Sequence, residues 1–271
     1  MSKSPLLPTF LAPLALSIAA ALPLAGQDSP AWNPGYADRF LQSTSPLVNE
    51  KGILQAIFTH RFNEPVNSAG GNALFGLDSG ANIGLGLGYV PLDHLSIEIY
   101  RASSGGDYEF AAKYAFLTAT EQRPVGVAVR AGMDWMTNYN VDQKTGGFVQ
   151  ASVAATIANR VTIAAVPTYV SNTPFFKNVF NVPVIVQVKV AKGLYATGEY
   201  VFRNKDLDGS VGQWSFAIEK YLWLHRFGIW IGNSPASTVD QIMAGDYAGG
   251  VRESNIRLGF NIVRGFEIGV K

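Results

Sequence analysis

Three histidines, His60, His94 and His225, are the residues of this chain with the widest chemical repertoire, and their spacing argues against using it. No His-Glu-x-x-His run and no paired histidines exist to hold a metal. Cysteine is absent, which excludes a disulfide framework, cysteine-ligated zinc, a lipid-anchoring cysteine and haem attachment. His60 could meet Ser68 or Ser104 as a hydrolytic pair, but such pairs form in space rather than along the chain. An interfacial polar role for His60 is the simpler expectation, and His94 and His225 are expected in short turns. Gly84, Gly86 and Gly88 alternate within one segment and lead into no helix, so they are not a phosphate loop. No catalytic residue, metal ligand or cofactor is expected.

The remaining candidates are scattered charges that nearly balance: Arg61, Lys113, Arg130, Lys189, Arg203 and Arg257 against Glu98, Glu109, Asp134, Glu199 and Glu219. They lie in or beside segments with a two-residue period, on the face opposite the apolar one. Turned to lipid at mid-depth, each would cost about 2 to 4 kcal/mol, so a lumen-lining set is expected. Phe75, Gly76, Leu77 and Asp78, inside the first long connector, could fold into that lumen as a plug or ligand element. As a plain turn, Gly76 would supply backbone freedom, Asp78 a local hydrogen bond, and Phe75 and Leu77 contacts with the barrel lip. Phe175, Phe176, Lys177 and Phe180 could bind an apolar solute at the rim or lean on lipid headgroups.

Strands must position these groups. Between Ile53 and Phe62 the even positions Leu54, Ala56, Phe58 and Phe62 are apolar, while Gln55, Thr59 and Arg61 face the other way. Asn82 to Tyr89, Leu95 to Ala102, Glu109 to Leu117 and Val125 to Trp135 repeat the pattern. Phe148 to Ala158, Val161 to Val170, Val182 to Val190, Leu194 to Phe202, Gln213 to Tyr221, His225 to Asn233 and Ile256 to Val263 continue it. The connectors alternate between long polar loops, such as Asn63 to Gly80 and Ser234 to Asn255, and short turns, such as Asn159-Arg160. Those features predict an all-β fold: a single antiparallel up-and-down transmembrane β-barrel of about 12 strands, with long extracellular loops and short periplasmic turns. An even count places both termini in the periplasm.

Composition agrees. Charged residues are 15% of the chain against a usual quarter, aromatics are 12%, and glycine numbers 28. A soluble barrel would need a charged exterior that these segments lack. A formal charge of +1 without a basic cluster argues against a nucleic-acid partner. At the N-terminus, Lys3, the apolar run Leu6 to Leu24 and small Ala25-Gly26 read as a signal peptide over residues 1–26. Residues 27–50 read as a periplasmic leader and 51–271 as the barrel. Past residue 30 no apolar stretch approaches the roughly 20 residues of a helical span, so only a closed sheet could cross a membrane.

Lys51-Gly52-Ile53-Leu54, His60-Arg61-Phe62, Leu74-Phe75-Gly76-Leu77-Asp78, Ala81-Asn82-Ile83, Leu85-Gly86-Leu87, Tyr89 and Lys113-Tyr114 together resemble an outer-membrane barrel family, domain of unknown function 5777. Gly259-Phe260-Asn261-Ile262 is similar to its final strand, with Glu267 to Lys271 an extra tail. The resemblance implies a fold and an outer-membrane location, and no activity. The expected partners are outer-membrane lipid and small solutes. The leading expectation is a small pore, with small inner residues such as Gly84, Gly86, Gly88, Gly126, Gly132 and Gly259 leaving space in the lumen. A non-conducting scaffold barrel and a lipid hydrolase, which would need a Ser-His pair, are the alternatives.

Overall fold

A computed structural model describes residues 37–137, 145–172, 178–204, 210–222, 224–245 and 251–268. The expected signal peptide lies outside the described residues, as do Phe175, Phe176 and Lys177. Among the described residues no helix is long and apolar enough to cross a membrane.

The chain forms one closed antiparallel sheet. Its strands are β1 (Ile53–Phe62), β2 (Ala81–Leu92), β3 (Leu95–Ala102), β4 (Asp107–Leu117), β5 (Val125–Met136) and β6 (Thr145–Ile157), followed by two broken strands. β7 runs over Val161–Ala165 and Thr168–Ser171, and β8 over Asn178–Asn181 and Val184–Ala191. β9 (Leu194–Val201), β10 (Gln213–Leu222), β11 (His225–Gly232) and β12 (Arg257–Glu267) complete the circuit. Each strand pairs with its sequence neighbours, and β12 returns to β1, with Ile57 opposite Val263. The breaks in β7 and β8 sit at Pro167 and Pro183, which have no N–H to offer a ladder. The proline carbonyls still serve: Ala151 N donates to Pro167 O and Val166 N to Pro183 O, both at 2.9 Å.

The expected twelve strands are therefore present, with differences at their ends. Asn178–Asn181, expected in a loop, extends β8, and Phe180 stands on its outer face. β12 continues through Glu267, with Phe266 opposite Leu54, so Arg264 to Phe266 and the first residue of the supposed tail are strand.

Burial alternates along the wall with the parity expected from the sequence. Leu85, Leu87, Ile97, Ile99, Phe110, Phe116 and Ile229 are exposed outward, forming the apolar band that a bilayer would cover. Among the described residues three outward strand cations depart from the apolar pattern: Arg101 lies over Tyr108 at 5.4 Å, Arg264 over Phe266 at 5.0 Å, and Lys220 donates to the Lys192 carbonyl at 3.0 Å. A long cation can lay its stem on apolar surface and keep its head at the interface.

Inside, the expected empty space is filled. Gly84 and Gly86 leave room that Tyr100 of β3 occupies: a methyl group on Gly84 would lie 1.7 Å from the Tyr100 hydroxyl. Gly132 receives Phe148 in the same way, and Gly259 lies beneath Trp230 and Arg61. The bare inner stripe thus accommodates aromatics from other strands rather than open lumen.

An occluded lumen as candidate functional site

Residues 37–47 correct the expected domain division. Read as part of a periplasmic tail, they lie inside the barrel, where Phe40, Leu41, Gln42, Ser43, Thr44 and Ser45 are buried. The segment is a tight reversal: Phe40 N donates to Ser43 O at 2.9 Å and Ser45 N to Asp38 O at 3.2 Å. It lacks strand periodicity, which is why the sequence reads as a tail. What holds it are polar groups that the wall directs inward.

Several charges of the expected set meet the segment. Arg39 of the leader donates through Nε to Glu98 at 3.2 Å and through Nη2 to Glu109 at 3.1 Å, with a second, closer contact to Glu98. Arg130 from β5 joins the same acids, meeting Glu98 at 2.9 Å and Glu109 more closely, and donates to Gln150 at 3.1 Å. Burial opposes charge on Arg39, yet Glu98 and Glu109 outweigh it and hold the guanidinium above its ordinary value. Lys113 donates to the Asp38 carboxylate at 2.6 Å and to its carbonyl at 2.8 Å. Across the barrel, Glu199 accepts from Gln42 N at 3.0 Å and from the Ser43 hydroxyl at 2.5 Å.

Arg226, outside the expected lumen set although strand parity places it inward, completes the grip. It donates to Glu219 at 2.7 Å and to the carbonyls of Arg39 at 2.6 Å and Phe40 at 2.5 Å. Glu219 also accepts from Thr197 at 2.7 Å. Among the described residues Arg61 is buried without an acidic partner in hydrogen-bond reach. It lies over Trp230 at 4.2 Å and donates to the carbonyls of His60 and Phe260. Arg257 binds the Asn63 carbonyl at 2.9 Å at the loop end. Lys189 is half-buried near the β7 turn, beside Arg160 and Tyr195. Arg203 is the exception among the expected lumen residues: it is exposed, because β9 ends at Val201.

A second insertion comes from the last long connector. Its short helix α1 (Val239–Ala244) places Val239, Ile242 and Met243 against Phe148, Val170, Val179 and Val201 of the inner wall. Val239 N donates to Glu109 at 2.8 Å, and Gln213 donates to Ile242 O at 2.7 Å. Loop and leader touch where the Gln42 side chain donates to Ala236 O at 3.3 Å. Between them a cavity of about 30 Å³ remains, bounded by Arg39, Arg61, Tyr100 and Arg226, and a second of about 10 Å³ lies beside Lys113. Those volumes suit one or two waters and a single water.

The expected plug element is elsewhere. Leu74, Phe75 and Leu77 are exposed and Asp78 with them, so Phe75 to Asp78 neither enters the lumen nor packs on the lip. Gly76 is the buried member, with a φ of 91° that a side chain would resist. His60 faces outward and stacks on Phe260 at 5.0 Å, and its Nδ1 has no hydrogen-bond partner. The Ser-His pair at His60 that a lipid hydrolase would need is therefore not formed among the described residues.

A family model described as a membrane bound beta barrel domain matches residues 37–266, so it spans the luminal segment as well as the wall. Among solved structures, the KdgM porin in complex with disordered oligogalacturonate aligns with a TM-score of 0.52 at 10% identity, over 78% of this chain and 99% of that one. The COG4313 outer membrane channel from Pseudomonas putida F1 aligns at 0.49 and 12% identity, over 81% and 97% of the two chains. Outer membrane phospholipase A from Escherichia coli aligns at 0.44 and 10% identity, over 78% and 89%. A search of curated proteins found no match. At such identities the likeness to solved structures is one of fold.

Proposed function

Because the chain belongs to the family described as a membrane bound beta barrel domain, domain of unknown function 5777, we propose that it is an outer-membrane pore for small solutes that its own leader holds shut. The observation that carries this reading is the division of the ionic network. Glu98, Glu109, Lys113, Glu199 and Arg226 stand on the wall, and each has a partner on the leader.

A permanently filled barrel has no need of such a lining. Desolvating ions is expensive, and well-packed apolar residues of similar volume often serve stability as well or better. A lining of mixed charge becomes favourable when the plug leaves and water enters. The leader joins β1 from the short-turn end, and the even strand count brings the chain out on that side, so both termini are periplasmic. The fold likeness to a porin agrees with this reading. At 10% identity the sugar polymer of that complex does not transfer to this chain.

One observation favours the second reading, a structural barrel that never conducts: the cavities beside Arg39 and Lys113, among the described residues, hold only a water or two. Planar-bilayer recording separates the two. The intact chain should be nearly silent, and a chain lacking residues 37–47 should conduct steadily. If the shortened barrel inserts, keeps heat-modifiable mobility on gels and stays silent, the pore reading fails and the structural one stands.

A further inference from the structure

Asp107, Asp134 and Asp240 meet beneath the inserted loop. Asp107 opens β4, Asp134 lies near the end of β5, and Asp240 is in the first turn of α1. One carboxylate oxygen from each lies within 4.8 Å of the other two, and all three side chains are buried. Acidic residues gather for many reasons, so proximity alone assigns nothing. The hydrogen bonding separates this group from the rest. Asp134 is 0% exposed, yet neither of its oxygens has a partner, and Asp107 Oδ1 has none. Asp107 Oδ2 and Asp240 Oδ1 are engaged locally: the Thr238 hydroxyl lies 2.7 Å from the first and 2.9 Å from the second, Gln241 Nε2 donates to Asp107 Oδ2 at 2.9 Å, and Gln241 N donates to Asp240 Oδ1 at 2.6 Å.

Buried carboxylate oxygens almost always accept hydrogen bonds, and three ionised carboxylates cannot crowd together without counter-charge. The closest wall cation on β5, Arg130, directs its hydrogen bonds to Glu98, Glu109 and Gln150 instead. From this geometry we infer a binding site for a divalent, oxygen-seeking cation of the calcium type, held by Asp107, Asp134 and Asp240. Calcium takes carboxylate oxygens at about 2.3 to 2.6 Å, so ligands on opposite sides lie up to about 5 Å apart, and the observed spread fits within that sphere. Magnesium holds its ligands closer and usually keeps several waters with only one or two carboxylates, so a set of three protein carboxylates suits calcium better. Two ligands come from the wall and one from the loop, so the ion ties α1 to the barrel. The site stands whether or not the barrel conducts.

Terbium replaces calcium at such sites, and Trp135, next in the chain to Asp134, can sensitise its luminescence. Titration of the folded, detergent-solubilised chain should show one saturable terbium site per molecule that calcium displaces. Asp240→Asn should weaken binding at least tenfold, and its place in a loop leaves barrel folding intact if Asp134→Asn fails to fold. Glu253→Gln, outside the cluster, should bind as the unaltered chain does. No calcium-displaceable site, or undiminished binding by folded Asp240→Asn, would overturn the assignment.

Discussion

Arg39 and Glu98 are joined across the boundary between plug and wall: the leader guanidinium donates through Nε at 3.2 Å to a carboxylate on β3, and the same guanidinium reaches Glu109 on β4. Arg39 also lies over the Tyr100 ring at 5.0 Å. One side chain therefore connects the luminal segment to two strands and an aromatic, and its removal leaves Arg130 as the one side chain among the described residues that ion-pairs with both inner-wall acids.

Arg39→Ala should release the leader. Breaking one side of a buried pair costs about 3 to 5 kcal/mol, because the remaining charge stays desolvated. Here the chain can avoid that cost by letting the segment out and water in. Hydrogen exchange read by mass spectrometry should lose protection over residues 38–46 while the strands keep theirs. Unchanged protection of that segment would mean that Arg226 and Glu199 hold it without Arg39.

Gly84→Ala should disturb a neighbour on another strand. The added methyl meets the Tyr100 hydroxyl and Thr59 Oγ1, which lie 2.5 Å from one another, so both must move. Overfilling a packed interior typically costs about 1 to 3 kcal/mol. The urea midpoint of the folded barrel should fall accordingly, and Gly84→Ala combined with Tyr100→Phe should recover part of the loss. A variant as stable as the parent would show that the stripe has slack.

Ile229→Lys tests the outer face. Ile229 is 74% exposed and stands near the middle of β11, opposite Ile218 and Phe260. In a bilayer a mid-depth lysine should cost about 2 to 4 kcal/mol. Folding into lipid vesicles, followed by the heat-modifiable band, should show that loss. Indifference to the substitution would place this face in water and contradict the membrane orientation of the sheet.

The wall was readable because its information is local. Val182 to Val190, or Glu109 to Leu117, declare their two faces through the two-residue period, and Glu109, Lys113, Arg130, Asp134, Glu199 and Glu219 face inward as that parity requires. Arg226 and Trp230 obey the same parity, on the face opposite Phe227 and Ile229, and are legible in the same way. Arg203 shows where parity stops, since a face is defined only while the strand lasts. Phe75 to Asp78 had no period to read, and its turn chemistry did not say which way it would point.

The sequence by itself therefore determined the sheet, its membrane-facing band and the mixed charge on its inner face, since each follows from alternation over a few residues. Only the tertiary structure decided what the lumen contains. Arg226 meets the Arg39 carbonyl from 187 positions away and Glu199 meets Gln42 from 157, distances at which no local pattern operates. A short polar segment without periodicity reads as a tail until the closed wall surrounds it with buried carboxylates and guanidinium groups that it helps to satisfy. Closure of the barrel creates that demand, and the leader and the α1 loop meet it.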